Sequence, residues 1–239
     1  MKFKSLIKLS SLVLLLGITI QTFSQSKKSN IMDNTKNEKI GLLVIMKAKE
    51  GKEQEVKEFL LGGLSLVNAE PKTESWFAFQ IDEQTFGIYD TFEAEEGRQA
   101  HLKGEVAKAL LANAGDLLEG FDSSRDIKTV DVQASNHKVG NQNNGLLVIM
   151  KAKEGKTSAV EDFLQAGKSL VSSEPATLSW YAFKINEETY AIFDTFADDA
   201  GRDAHLTGKV AAALMENAPL ILEGFDSSAI QKINILASK

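Results

Sequence analysis

His101 and His205 are two of only three histidines in 239 residues. Imidazole is the one side chain whose ordinary charge change falls near neutral pH, so each is a candidate base. Arg98 and Arg202 stand three residues earlier, on the same side of a helix, where a guanidinium could hold an anion. Asp90 and Asp194 end β-rich segments just before and could orient a histidine. Trp76 and Trp180 offer flat apolar walls for an aromatic ligand, and Phe79 and Phe183 could line the same cavity.

Each residue also has a plainer role open to it. A helix histidine beside leucine can simply be packed, and Arg98 can pair with the acids of its own first turn. Trp76 can be core or sheet-interface packing, and Asp90 can end a strand or cap the next helix. The recurrence of these residues decides little, because the chain is a duplication. GLLVIMKAKEGK stands at 41–52 and again at 145–156, an offset of 145 − 41 = 104. Residues 41–124 align on 145–228 without a gap at roughly 60% identity, so any residue has better than even odds of recurring. The mismatches say more. Tyr89 pairs with Phe193, Phe77 with Tyr181 and Phe86 with Tyr190, so no tyrosine hydroxyl is available to both copies as an acid.

Composition narrows the classes of function. The chain is 43% hydrophobic and 25% charged with a formal charge of −6, an ordinary globular balance that would repel a phosphate backbone, so no nucleic-acid partner is expected. With no cysteine, disulfides, thiolate nucleophiles and cysteine-based zinc sites are excluded. Lys2, Lys4 and Lys8 precede the apolar run LVLLLGITI at 12–20 and small residues in QTFSQS, a signal-peptide layout over 1–26. The run is shorter than a membrane span, so cleavage is expected over a retained anchor, with an exported product, periplasmic or secreted. Removing three lysines leaves 27 − 3 = 24 basic residues against 33 acids, a charge of −9.

These side chains need a scaffold, and each copy supplies the same one. LLVIMKA (42–48) is a strand-length apolar run. Val56, Phe59, Leu60, Gly63 and Val67 fall on one helical face, repeated by Val160, Phe163, Leu164, Gly167 and Val171. Glu70-Pro71 ends that helix. SWFAFQI (75–81) and TFGIYDTF (85–92) form a hairpin. Acidic EAEE (93–96) opens a second helix with Leu102, Val106, Ala109 and Leu110 on its apolar face, and a last strand lies near Ile127–Val132. The order β-α-β-β-α-β is a ferredoxin-like unit. The domains expected are a leader at 27–39, a first unit at 40–134, a polar linker at 135–144 and a second unit at 145–239. In SWFAFQI neither alternating face is polar, so both should be buried. A lone unit would expose an apolar sheet face, and the second copy can cover it. The fold class expected is therefore α+β, two tandem ferredoxin-like domains packed sheet to sheet as an intramolecular dimeric α/β barrel. Such a pseudo-dimer within one chain remains open to further homo-oligomerisation.

The pattern resembles the antibiotic biosynthesis monooxygenase-like group of dimeric α/β barrels. KEGK after the first strand, EP-x-T-x-SW and GR-x-AHL-x-G-x-V-A-x-AL carry the resemblance. They span Lys49–Lys52, Glu70–Trp76 and Gly97–Leu110, then Lys153–Lys156, Glu174–Trp180 and Gly201–Leu214. The resemblance implies cofactor-independent oxygenation, in which a deprotonated phenol, quinol or anthrone passes its own electrons to O2. The protein would supply an apolar pocket, a base and an anion-stabilising donor, with no cofactor and no metal. His101, His205, Arg98 and Arg202 are then the catalytic candidates. Trp76, Trp180, Phe79, Phe183, Asp90 and Asp194 are the substrate-binding ones, and the partner is a small hydrophobic or aromatic molecule. Heme-degrading relatives rely on an asparagine in the first-strand region, which GLLVIMKAK lacks. The rival readings are a non-catalytic binder using the same pockets and an interaction or structural module with solid interiors.

Overall fold

The computed structural model describes residues 37–138 and 140–239. The expected signal peptide at 1–26 and most of the leader lie outside the described residues.

The first copy runs β1 (Ile40–Lys47), α1 (Glu53–Val67), β2 (Ser75–Gln80), β3 (Thr85–Phe92), α2 (Glu95–Leu102), α3 (Glu105–Leu117), α4 (Ser123–Asp126) and β4 (Ile127–His137). The second repeats it as β5 (Asn144–Lys151), α5 (Thr157–Ser172), β6 (Thr177–Lys184), β7 (Thr189–Phe196), α6 (Asp199–Leu206), α7 (Lys209–Ile221), a 3-10 turn (Ser227–Ala229) and β8 (Ile230–Ser238). Eight strands close one antiparallel barrel in the order β1-β3-β2-β8-β5-β7-β6-β4. Each copy contributes a four-stranded sheet, and the sheets join edge to edge where β2 meets β8 and β4 meets β6. Closure leaves no sheet edge to template aggregation.

Strand alternation divides the apolar residues between two layers. Phe77, Phe79 and Tyr89 point into the barrel and meet Tyr181, Phe183 and Phe193 from the other copy. Tyr89 stacks on Phe183 with centroids 4.8 Å apart, and Phe77 sits 5.2 Å from Phe193. Every one of these rings is fully buried, which stabilises by about 1.5–3 kcal/mol each. The alternate residues Val44, Met46, Trp76, Ala78 and Ile88 point outward against Val56, Leu60, Val67, Val106 and Leu110 of the helices. Both sheet faces are buried, as the unbroken apolar pattern requires.

Two details differ from the sequence reading. Ser135, Asn136 and His137 are not linker: they extend β4 and pair with Tyr181, Trp180 and Ser179 of β6. Their polarity, with no apolar alternation, hid the strand. Asn136 donates to Ser172 Oγ at 3.0 Å, and His137 Nε2 lies 2.5 Å from Glu38 Oε2. The second helix is also two helices, broken at Gly104 and at Gly208. A side chain on Gly104 would collide with the Glu70 carboxylate, and one on Gly208 with that of Glu174.

The pseudo-symmetry also breaks at a buried carboxylate. Glu38 accepts from Ser75 Oγ at 2.8 Å, Thr91 Oγ1 at 2.6 Å and Tyr181 OH at 3.5 Å. Burial opposes its charge, but His137, Thr91 and Ser75 together hold its carboxyl below the ordinary range. The second copy has Gln142 in the same place, accepting from Ser179 and Thr195.

Candidate functional site

The histidines are anchored on both ring nitrogens. His101 Nδ1 lies 2.7 Å from Glu70 Oε2, and its Nε2 lies 3.3 Å from Asp90 Oδ2. In the second copy His205 Nδ1 is 2.6 Å from Glu174 Oε2 and Nε2 is 3.3 Å from Asp194 Oδ2. Thr73 donates to Glu70 at 2.9 Å and also lies beside the His101 ring. All four of these histidine and aspartate side chains are buried. Glu70 and Glu174 arrive from the end of the first helix, through the E-P-x-T motif, into the gap opened at Gly104 and Gly208.

Each imidazole sits between two carboxylates. Burial pushes the Asp90 carboxyl up to about 7, against the pull of His101. Asp194 is raised for the same reason. Burial favours neutral imidazole at His205, but Asp194 and Glu174 outweigh it and raise that ring to about 9. The network therefore joins the short helix α2 or α6 to the strand and loop beneath it. Each imidazole is held by its own carboxylates.

The arginines turn to their own helix, as the plainer reading allowed. Arg98 Nε donates to Glu95 Oε2 at 2.8 Å, and Arg98 NH1 donates to Thr129 Oγ1 at 3.1 Å. Arg202 pairs with Asp199. The expectation that Phe79 and Phe183 line a cavity together with Trp76 and Trp180 is corrected. The tryptophans lie on the outer face of their strands, under the helices, and the phenylalanines lie in the packed barrel interior. Adjacent residues on a strand point to opposite faces, and so do residues three apart.

A cleft of about 330 Å³ lies between α1 and α3 of the first copy. Trp76 and Ile88 form its floor on the outer sheet face. Phe59, Leu60, Gly62, Gly63 and Leu66 of α1 form one wall, and Val106, Ala109 and Leu110 of α3 the other. Glu58, Ser65 and Asn113 are its polar members. Of the ten residues singled out from the sequence, Trp76 alone lines this cleft. Asp90 is its cross-strand neighbour in the β2–β3 ladder, which places the histidine network beside the cleft rather than in its wall. Ala109 and Gly63 were legible as helix-face residues, but the space over them was not. Gly63 is required by Trp76: a Cβ there would lie 3.2 Å from the indole ring.

No family model matches the chain, and no curated protein matches it. Solved structures do. A crystal structure from Fusobacterium nucleatum subsp. nucleatum, provisionally named a monooxygenase, superposes with a TM-score of 0.72 at 15% identity, covering 84% of this chain and 94% of its own. A second with the same provisional name, from Lactobacillus acidophilus, gives 0.68 at 12% identity over 85% and 96%. These likenesses are of fold: the chain is a closed eight-stranded barrel of two ferredoxin-like units. A protein of unknown function from Nitrosomonas europaea is 41% identical over 44% of this chain and 98% of its own, with a TM-score of 0.40. Both ferredoxin-like units of the barrel lie in one polypeptide. Among the described residues no helix is long and apolar enough to cross a membrane, and no group of three or more His, Cys, Asp or Glu side chains is placed to hold a metal ion.

Proposed function

We propose that the chain binds a small, flat, hydrophobic or aromatic molecule in the cleft over Trp76. The observation that carries this reading is the cleft itself. Its walls are mainly aliphatic and aromatic, its floor is an indole, and its volume falls in the range of small-molecule sites. The interior of the barrel, by contrast, is filled by its own rings. Isothermal titration of the full chain with 2-naphthol tests the reading. Binding is expected in the wild type and lost in Ala109→Phe, whose ring fills the cleft from α3. Equal binding by that variant would place the ligand elsewhere.

A second reading, cofactor-independent monooxygenation of the bound molecule, is favoured by the fold and by one further feature. Glu58 puts a carboxylate in the lining of the cleft, while the histidines are held outside it. With anthrone, deprotonation of the methylene across the central ring from the carbonyl would give an anion that reduces O2 directly. One oxygen atom becomes the new carbonyl of anthraquinone, and the other leaves as water with the two methylene hydrogens, so no external reductant is needed. Consumption of one O2 per anthrone, slowed in Glu58→Gln, is the expected result. Binding without O2 uptake above the autoxidation rate leaves a non-catalytic binder. This reading includes export, supported by the Lys2–Ser26 sequence pattern. An exported product that begins near residue 27 by mass spectrometry is the expected outcome.

A further inference from the structure

The two copies differ at the wall of the cleft. Gly63 has a packing reason to be glycine, and the second copy keeps it as Gly167 against Trp180, where a Cβ would lie 3.0 Å from the ring. Gly62 has no such reason, since a Cβ there would find no heavy atom within 4 Å. Glycine inside a helix is unfavourable relative to alanine, because the unfolded chain has more freedom to lose. The second copy has Ala166 at the equivalent position. Yet Gly62 is one of the residues lining the cleft, with Phe59 and Leu66 a helical turn to either side. The open space at its missing side chain is therefore space in the cleft wall.

We propose that Gly62 is a specificity-determining residue: the absent methyl group lets the first-copy cleft accept fused-ring aromatic ligands that an alanine there would reject. The inference rests on the reading of this cleft as the ligand site. Where Ala166 stands, the second copy carries the methyl group. Of the lining positions, Gly62 and Glu58 differ between the copies, as Ala166 and Asp162.

Calorimetric titration of the full chain with phenol and with 2-naphthol, in the wild type and in Gly62→Ala, tests it. The expected result is a loss of about tenfold in 2-naphthol affinity with phenol affinity unchanged, the scale at which one methyl group discriminates in an apolar pocket. The thermal midpoint of the variant rises at the same time, because alanine favours the helix. A higher midpoint with unchanged 2-naphthol affinity would overturn the inference and leave the cleft reading standing. A wild type that binds neither phenol would overturn both.

Discussion

His205 shows how a residue that looks catalytic can be held by its surroundings. It is buried between Glu174 and Asp194, and both ring nitrogens are engaged. Removing it leaves the buried Asp194 and the half-buried Glu174 without their cation, so His205→Ala is expected to cost about 3–5 kcal/mol in denaturant unfolding. Its pH signature follows from the raised folded-state value of about 9 against an ordinary 6.5. The folded protein keeps the proton above pH 6.5, where the unfolded chain gives it up. This contribution to stability is complete below 6.5 and disappears as pH climbs through 9. The wild-type unfolding midpoint should fall over that window, and the fall should be shallower in His205→Gln. A slope identical in both proteins would show that this imidazole does not carry the proton. The glutamate partners were missed in the sequence because E-P-x-T reads first as a helix end, and that local role masks a long-range one.

Two glycines make the same point for the elements. Apolar periods of 3.6 and 2 were enough to place α1, β2, β3 and the β-α-β-β-α-β order of each copy. They could not show that the second helix breaks at Gly104, because the break is made to admit Glu70 and only the folded arrangement brings Glu70 there. Nor could they show the seams, since Ser135–His137 lacks apolar alternation and pairs by backbone with β6. The cleft was equally hidden: Trp76 was visible as a candidate wall, but the room above it comes from side chains that are absent. Gly104→Ala is expected to destabilise by about 1–3 kcal/mol, because it displaces the buried Glu70 carboxylate from His101. Helix propensity alone would give the opposite sign. Thermal unfolding of Gly104→Ala beside Gly62→Ala reads both signs in one experiment.

At the scale of the whole molecule, duplication turns a two-chain barrel into one chain, and the halves are no longer interchangeable. Glu38 of the first copy takes Tyr181 OH of the second and His137 of the strand that crosses between them. Glu38→Gln reproduces what the second copy has at Gln142. It should lower stability by about 1–3 kcal/mol at neutral pH. Because the Glu38 carboxyl is held below 4.5, its contribution is present above that pH and is lost as pH falls through the folded-state value. The difference between wild type and variant should therefore shrink in acid. A constant difference across that range would remove the charge from the explanation.

The central claim is that neither half is complete, because each sheet needs the other to close its edges and cover its aromatic face. The most direct measurement is sedimentation of the isolated first copy, residues 37–138, at micromolar concentration. A half that self-associates into a barrel of two chains, or that fails to stay soluble, is the result this account predicts. A folded, monodisperse monomer with native-like near-UV signals would contradict it.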